Sequence, residues 1–403
     1  MTGRSKTKPE TIHNCIERLI CVFSLYMNIE IVLFLLLTSL FICYCIIDLL
    51  AAKGLSALPI RQGTSSEMQP SISVIIAARN EEANIGKCLQ SIVRQNYPPG
   101  RLEIIVVDDR STDGTAAIVN NYRTAHPCVR LVSITKIESD LPPKKNALNE
   151  GIRESRSDIL AFTDADCVAS EHWLSCIARE FTPDVGIVAG YSPLEQTFPA
   201  TFLARWADSF LRYLEMKNSV GAAAAFGLGA AYLGTGRNLA YRKTVFNEVG
   251  GFEKIKHSIS GDDDLFIQLV QKSTRWNLRY MLSTKSYVET TPPHSLRAFI
   301  NQRKRHFSAG KYYPVRMKII FALIHLYGGL ALLMLIFYPL MGILSFGGKL
   351  AIDGALVYRG TTIFGNRQLL RWLVPMEIAS ILYNLVIGPL GFFGSFSWKE
   401  LQS

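Results

Sequence analysis

The sequence has few acidic residues relative to basic ones. It holds 33 Asp and Glu against 43 Lys and Arg, which gives a formal net charge of +10 at pH 7. A basic excess is typical of proteins that bind nucleic acid and of proteins that contact anionic lipid. The Lys and Arg residues concentrate beside long apolar runs, which favours lipid headgroups as their partners. We therefore predict a membrane partner and no nucleic acid.

The cysteines lack a pattern, and no internal repeat or low-complexity block is present. Of the eight cysteines, Cys43 and Cys45 lie inside an apolar run, and the other six show no metal-binding spacing. This scatter argues against a cysteine-based metal site. We expect free thiols in a reducing compartment.

Charge is almost absent from residues 31–50, where Asp48 is the only charged side chain. The run has the length of about 20 residues that a helix needs to cross a bilayer. It lacks the small-residue cleavage site of a signal peptide, so we predict a retained transmembrane helix, with a buried core helix as the alternative. This helix would follow a tail of residues 1–30 and precede a linker of residues 51–70 that is rich in Ser, Gly and Gln.

A second region of low charge lies near the C-terminus. Residues 319–341 carry no acid or base except His325, and basic side chains crowd the preceding segment, 301–318. The positive-inside tendency places this basic flank in the cytoplasm. We therefore interpret 301–318 as an interfacial segment, and we predict two or three transmembrane helices in residues 319–395, followed by a tail of residues 396–403.

Charge spacing favours three crossings over two. A second group of arginines at 359–371 also predicts a cytoplasmic segment, so an even number of crossings must separate the two groups. The run 342–358 would return through the membrane with Lys349 and Asp353 four residues apart, able to pair on one helix face. A last span at about 372–393 completes the three.

Residues 71–300 have the pattern of a globular domain. Short apolar runs alternate with stretches of helical periodicity and end in polar turns. The alternation, with nearly continuous apolar strands, predicts an α/β fold whose parallel sheet is covered on both faces. Ligands of such sheets lie beyond the carboxyl ends of the strands. Three polar turns fall there: Asn80-Glu81, Asp108-Asp109 and Asp164-Ala165-Asp166.

The sequence FTDADC ends one of these runs and holds Asp164 and Asp166. Residues two apart in an extended chain point to the same side, so the two carboxylates converge. Their repulsion costs free energy unless a cation offsets it. Mg²⁺ and Mn²⁺ prefer oxygen ligands and are often held by only one or two carboxylates together with substrate phosphates. We therefore predict that Asp164 and Asp166 bind Mg²⁺ or Mn²⁺.

Two further acidic groups follow apolar runs or precede a helix. Asp108 and Asp109 can accept hydrogen bonds from a base or a ribose hydroxyl; a helix N-cap is the alternative, but Asp113 stands in a better position for that cap. The run GDDDL opens a helix, where the dipole favours acids. Three acids exceed that need, so one of them is a candidate general base.

Basic side chains complete the set. Segment 143–149 (PKKNALN) leads into a helix, and segment 302–306 (QRKRH) lies just before the membrane. Cations beside metal-binding acids suit transfer from a diphosphate, because they neutralise the departing charge. Lipid headgroup contact is an equal alternative for 302–306. A third segment, 201–218, is amphipathic; we expect it to pack on the sheet, with the bilayer surface as the alternative.

Seven motifs in order resemble those of one enzyme family: SVIIAARNEEANI, EIIVVDDRSTDGT, PKKNALNEGI, FTDADC, GTGRNLAYRK, GDDDLF and QRKRH. They look like the family 2 glycosyltransferases of the GT-A fold, in the membrane-bound branch related to cellulose, chitin and hyaluronan synthases. The resemblance covers about residues 71–306. It implies a Rossmann-like GT-A domain with N-terminal and C-terminal transmembrane helices, and an inverting transfer from a nucleotide-diphospho-sugar that needs Mg²⁺ or Mn²⁺.

The resemblance also implies roles for individual residues. The donor would be held by Ala78, Asn80, Glu81, Asp108, Asp109, Lys144, Asp164, Asp166, Gln302 and Arg305, with the metal on Asp164 and Asp166. The acceptor would lie on Gly234, Thr235, Gly236, Arg237, Asn238 and His306. Counting three residues back from Leu265 selects Asp262 as the general base, and Asp263 stays open as the alternative.

His306 departs from the family pattern, because it stands where the QxxRW motif has a tryptophan. In the polymer synthases that tryptophan stacks on the acceptor sugar. Its replacement favours the addition of one or few sugars to a membrane-associated lipid or glycan acceptor. We expect a UDP-sugar donor and a bacterial inner membrane with the catalytic domain on its cytoplasmic side. The alternatives are a non-catalytic nucleotide-binding subunit of a surface-polysaccharide assembly and a phosphoryl or nucleotidyl transferase.

Overall fold

The computed structural model describes residues 8–59, 69–136, 139–197, 200–293 and 295–393. The strands in these ranges are β1 Ile72–Ala78, β2 Leu102–Asp109, β3 Val129–Ile134, β4 Ile159–Asp164, β5 Cys167–Ala169, β6 Val185–Gly190, β7 Leu239–Arg242, β8 Asn277–Met281 and β9 Val288–Thr290. The α-helices are α1 Lys8–Ala57, α2 Ile85–Val93, α3 Thr115–Ala125, α4 Pro143–Glu154, α5 Trp173–Glu180, α6 Phe202–Gly227, α7 Lys243–Val249, α8 Asp264–Ser273, α9 Leu296–Ala309, α10 Val315–Phe337, α11 Pro339–Phe364 and α12 Leu373–Phe393.

A seven-stranded sheet in the order β3-β2-β1-β4-β7-β6-β8 forms the centre of the domain, and β5 pairs with β9 beside it. The neighbours β3, β2, β1 and β4 run parallel, as the alternation of strands and helices predicts. Strand β7 runs antiparallel between β4 and β6, so the sheet is mixed. The prediction of a parallel sheet is therefore wrong only for β7, which has the four residues LAYR, because β6 and β8 again run parallel to each other.

Helices cover both faces of the sheet, which explains the continuous apolar strands. Val74 and Ile76 pack into a core cluster with α2 and α3, whereas Ile75 between them packs into the cluster on the opposite face with α4. Gly151 allows α4 to approach the sheet closely, since a Cβ atom at that position would lie 2.5 Å from Cγ2 of Ile75. Parallel strands buried on both faces are apolar at nearly every position.

The strand register brings the predicted polar turns to one edge. Ala78 at the end of β1 is the partner of Asp108 on β2. On the other side of β1, Ala77 is the partner of Asp164 on β4. The acids that the sequence places after separate strands therefore lie next to each other across the sheet.

Helix α1 continues past the predicted transmembrane segment in both directions. Residues 51–57, expected to begin a linker, are helical. The reason is a close crossing of α1 with α6: a Cβ atom at Gly54 would lie 2.1 Å from the carbonyl oxygen of Ala224, and Leu55 is buried in the core. The last turns of α1 are thus packed against the globular domain.

Four helices of the described residues are long and apolar enough to cross a membrane: Glu30–Ala57, Val315–Phe337, Pro339–Phe364 and Arg367–Gly391. Three of them follow the globular domain, in the region where two or three spans are expected. Lys349 and Asp353 form the predicted ion pair on one face of α11. Lys349 also contacts Glu377 of α12, at 3.0 Å.

Helix α6 packs inside the protein, as expected for segment 201–218. Tyr213, Met216 and Val220 are buried in the core that the sheet shares with α11 and α12. Its first turn is open, where Phe202 and Leu203 are exposed. The helix therefore joins the sheet to the apolar helices instead of lying flat on a bilayer surface.

Candidate active site

The FTDADC turn places two carboxylates and a thiol close together. Oxygen atoms of Asp164 and Asp166 and the Sγ atom of Cys167 all lie within 4.8 Å of one another. Burial, and then the charge of Asp166, raise the pKa of the Cys167 thiol, which keeps it protonated. The available metal ligands are therefore the carboxylate oxygens of Asp164 and Asp166, whose side chains are half-buried. Such a set fits Mg²⁺ or Mn²⁺ better than a thiolate-binding metal.

Lys144 joins this turn to the GDDDL segment. Its Nζ atom lies 3.0 Å from Oδ1 of Asp164 and 3.2 Å from Oδ2 of Asp262. Burial opposes the charged form of Lys144, but the two carboxylates outweigh burial and raise its pKa. Burial likewise opposes ionisation of Asp164, but the ammonium of Lys144 lowers the pKa of that carboxyl. Both groups are therefore charged at neutral pH.

The pKa of Asp166 is shifted in the opposite direction to that of Asp164. Burial, and then the charges of Asp164 and Glu81, raise the pKa of Asp166. A cation close to both acids would favour the ionised form of each. The electrostatics thus agree with a cation site between them.

Asp262 and Asp263 differ in what they contact. Asp263 caps α8, since its Oδ1 accepts a hydrogen bond from the N–H of Asp264 at 2.8 Å. Its Oδ2 accepts another from the N–H of Gly236 at 2.9 Å. Both oxygens of Asp263 are therefore used to hold the local chain, whereas Asp262 faces Lys144.

The two polar loops after β1 and β2 hold each other. The side-chain oxygen of Asn80 accepts a hydrogen bond from the N–H of Thr112 at 2.8 Å, and the N–H of Glu81 donates to the hydroxyl of Thr115 at 2.8 Å. Among the non-glycine residues that the structure describes, only Asn80 and Arg110 have a left-handed φ, of 52° and 57°. Backbone strain of this kind clusters at ligand sites.

The Asp108-Asp109 doublet is divided between two tasks. Asp108 accepts a hydrogen bond from the N–H of Ser111 at 3.2 Å, which shapes the loop. Asp109 pairs with the guanidinium of Arg110 at 2.8 Å. Neither acid caps α3. The N-cap residue is Gly114 and not Asp113 as expected, although Asp113 accepts a hydrogen bond from the N–H of Thr115 at 3.0 Å.

Lys145 is a functional residue that sequence reasoning misses. Its Nζ atom donates to the carbonyl oxygens of Ser258, at 2.5 Å, and Ser260, at 2.7 Å. These contacts hold the segment that leads into Asp262. Successive helix residues point about 100° apart, so only one of Lys144 and Lys145 can face the strand ends. The sequence alone does not show which one.

The GTGRN loop lies against the acids of the GDDDL segment. A Cβ atom on Gly236 would lie 3.3 Å from Oδ2 of Asp263 and 3.5 Å from Oδ2 of Asp262. Gly234 and Thr235 precede this contact, with Gly234 buried and Thr235 half-buried.

Asn238, expected from the sequence to contact the acceptor, lies in the core. It is buried, and its amide donates to the carbonyl oxygens of Tyr191, at 2.7 Å, and Ser286, at 2.9 Å. Its side-chain oxygen accepts a hydrogen bond from Nε1 of Trp173 at 2.9 Å. With these three bonds the amide is engaged within the core.

Helix α9 carries the QRKRH segment with its side chains in different environments. Gln302 and Arg305 are half-buried, and His306 is exposed. The positive charge of Arg305 also lowers the pKa of Asp164, after the larger effect of Lys144, so its guanidinium is within electrostatic range of the acids. Arg303, which the sequence does not single out, is buried and pairs with Glu215 at 2.6 Å. The segment is therefore more than a lipid contact.

A family model described as glycosyltransferase like family 2 matches residues 70–309, more than half of the chain. The chain belongs to this family. It is a glycosyltransferase that acts on nucleotide sugars, which confirms the family and fold inferred from the seven motifs. Membership of a family of transferases argues against the non-catalytic alternative.

Named relatives agree with this assignment. Glycosyltransferase AglE of Haloferax volcanii is 32% identical over 245 residues, which are 60% of this chain and 72% of that protein. Beta-monoglucosyldiacylglycerol synthase of Synechocystis is 37% identical over 119 residues, which are 29% of this chain and 24% of that protein. The second match spans about a quarter of its relative, so that protein's activity is not carried over.

The fold is also that of a solved structure. A mannosyltransferase from Pyrobaculum calidifontis, in complex with GDP-Man and Mn²⁺, superposes with a TM-score of 0.54 at 21% identity. The alignment covers 88% of this chain and 98% of that one. The likeness shows the GT-A fold and does not by itself give the donor.

Proposed function

We propose that the protein is a membrane-anchored, metal-dependent, inverting glycosyltransferase. It transfers a sugar from a nucleotide-diphospho-sugar to a hydroxyl of a membrane-associated lipid or glycan. The observation that supports this best is the position of Lys144, whose ammonium lies between the acid expected to hold the metal and the acid expected to act as base. One cation in contact with both acids marks the place where the donor's diphosphate and the acceptor hydroxyl would meet.

Asp262 serves as the general base in this proposal. Its carboxylate removes the proton from the acceptor hydroxyl while the hydroxyl oxygen attacks the anomeric carbon and the bond to the diphosphate breaks. Direct displacement inverts that carbon. Asp263 is unsuited to the task because both of its oxygens hold backbone N–H groups.

Lys144 and Arg305 stabilise the leaving group. The donor's diphosphate offers Lys144 a more highly charged partner than Asp262, so donor binding draws the ammonium away and frees Asp262 for the acceptor. A well-placed charged donor of this kind typically contributes about 3 to 4 kcal/mol to transition-state stabilisation. Mg²⁺ or Mn²⁺, held by Asp164 and Asp166, would supply further neutralisation of the diphosphate.

The acceptor reaches the site from the membrane in this proposal. Asp264, next to the acids of the site, accepts a hydrogen bond from the hydroxyl of Tyr313, two residues before α10 begins. The site is thus tied directly to the first apolar helix after the domain. This connection favours an acceptor that arrives from the bilayer. The same proposal includes the cytoplasmic orientation of the domain, the domain limits and the membrane crossings of the apolar helices.

A donor screen tests the function. The full chain in detergent is incubated with Mn²⁺ and a panel of UDP- and GDP-sugars, and the released nucleotide is measured together with the free sugar or glycoside. We expect release from one or few donors, with the sugar appearing as the transferred group. The Asp164→Asn, Asp166→Asn double variant is the matched control and should show no release. Transfer of phosphate or nucleotide, or full activity in the double variant, contradicts the proposal.

A further inference from the structure

We propose that Arg237, expected from the sequence to face the acceptor, binds the diphosphate of the donor, and that Glu215 is the residue that positions it. This inference rests on the function proposed above. Neither Glu215 nor a donor role for Arg237 follows from the sequence motifs.

The guanidinium of Arg237 is held along one edge. Its Nε atom donates to the hydroxyl oxygen of Ser192 at 2.6 Å, and its Nη2 atom lies 3.5 Å from Oε2 of Glu215. Ser192 is itself fixed, because its hydroxyl donates to the carbonyl oxygen of Val288. The contacts at Nε and Nη2 fix one edge of the planar guanidinium. They leave its terminal edge, between Nη1 and Nη2, to bind a second partner.

The backbone on both sides of Arg237 is also fixed. Gly236 donates its N–H to Asp263, and Asn238 is held in the core by its amide. The Cα atom of Arg237 therefore lies between the GDDDL acids and the core. Gly236, the residue before it, lies beside Asp262, whose carboxylate contacts the same ammonium of Lys144 as Asp164 does. Arg237 is accordingly anchored next to the acids around which the donor is proposed to bind.

Glu215 connects this arginine to the rest of the molecule. Its other oxygen, Oε1, accepts a hydrogen bond from Nη2 of Arg303 on α9 at 2.6 Å. Two residues before and after Glu215 on α6, Tyr213 and Lys217 contact Glu377 of α12. Residues two apart on a helix point in nearly opposite directions. One face of α6 is therefore fixed by an apolar helix, and Glu215 on the other face sets the position of Arg237.

The chemistry of a diphosphate explains why an arginine is held this way. Two parallel N–H groups on one edge match two phosphate oxygens, and a pre-oriented fork loses less rotational freedom on binding. A carboxylate near a diphosphate site is unfavourable in charge alone. The presence of Glu215 is explained if this residue orients the guanidinium of Arg237.

Nucleotide binding tests the role of Arg237. Calorimetry on the full chain in detergent with Mn²⁺ compares UDP and GDP with UMP and GMP. Because a hydrogen bond to a charged group contributes about 1.5 to 3 kcal/mol, Arg237→Ala should weaken binding of the preferred diphosphate by about tenfold or more. Binding of the matching monophosphate should change much less. Arg237→Lys, which keeps the charge but lacks the fork, should lie between the two.

The direction of the change in diphosphate affinity tests the role of Glu215. Glu215→Gln removes a negative charge, and by charge alone this would tighten diphosphate binding. If Glu215 positions Arg237, the variant should instead bind the diphosphate about fivefold more weakly. Glu215→Asp, which keeps the charge, should restore part of the lost affinity. Adding Glu215→Gln to Arg237→Ala should cause no further loss. Asp208→Asn, which removes a different ion pair of α6, is the control and should bind as the wild type does.

The outcomes separate this inference from the proposed function. If the wild type binds UDP or GDP and Arg237→Ala binds it equally well, with only the acceptor KM raised, the inference is wrong and the function stands. Tighter diphosphate binding by Glu215→Gln also overturns it. If the folded wild type binds neither diphosphate, both the function and the inference fail.

Discussion

The Nζ atom of Lys144 lies 3.2 Å from Oδ2 of Asp262. The two residues come from α4 and from the loop before α8, so their contact depends on the folding of the whole domain. Because the same ammonium also contacts Asp164, its removal should affect both donor and acceptor chemistry.

Replacing Lys144 by Met should lower kcat/KM for transfer by about a hundredfold, since a preorganised cation at the leaving group is lost. The protein should remain folded because Lys144 lies at the edge of the sheet. Lys145→Met is the matched control on the same helix. It removes two hydrogen bonds to backbone carbonyls and should lower the melting temperature more than Lys144→Met does. Equal effects of the two variants on melting and turnover would contradict the division of roles.

Asp262→Asn should reduce kcat by about a thousandfold while leaving nucleotide affinity close to that of the wild type, because a general base acts on the acceptor. Asp263→Asn should cost about 1 kcal/mol in stability, because the amide keeps only one of the two oxygens that accept from Asp264 and Gly236, with a smaller loss of kcat. Single-turnover rates and calorimetry measure the two effects. Near-normal turnover in Asp262→Asn would exclude it as the base.

Gly236→Ala should lower kcat by about tenfold, since the added Cβ atom would lie 3.3 Å from Oδ2 of Asp263 and displace the acids. Donor affinity should change little. Gly100→Ala is the control, because a Cβ atom there meets nothing within 4 Å. Steady-state kinetics with a saturating donor distinguish the pair, and unchanged kcat in Gly236→Ala would show that the loop tolerates movement.

Much of the domain could be predicted from sequence because its strands are buried on both faces and its polar turns follow them directly. The apolar runs gave β1, β2 and β4 correctly, and the register then placed Asp108 and Asp164 at one edge. The antiparallel direction of β7 could not be predicted, since a short strand has no periodicity that encodes direction. The helical end of α1 was also missed, because its packing on α6 depends on a distant glycine.

The site was predictable where carboxylates follow strands, and it was not where a role depends on which way a side chain points. Asn238 belongs to the same motif as Arg237 but points into the core. Glu215 lies in an amphipathic helix among other charged residues, and only the fold shows that it meets Arg303. Long-range ion pairs of this kind have no local signal in one sequence.

The stability of the protein should depend on pH through Asp264. Burial, and then the charge of Asp263, raise the pKa of Asp264 from 3.8 to about 8. The native state therefore binds a proton that the unfolded chain has released, so this stability is fully present below pH 3.8 and is lost as the pH rises towards 8. Relative to Asp264→Asn, the wild type should lose on the order of 5 °C in melting temperature between pH 5 and pH 8. An equal dependence of melting temperature on pH in the two proteins would contradict the raised pKa of Asp264.

The proposed transfer depends most on the cation and diphosphate site at Asp164 and Asp166. A calorimetric titration of the full chain with UDP and GDP, with Mn²⁺ and again with EDTA, tests it directly. We predict binding of one diphosphate that requires Mn²⁺ and is abolished in the Asp164→Asn, Asp166→Asn double variant. Equal affinity in EDTA, or unchanged Mn²⁺-dependent binding by the double variant, would contradict the account.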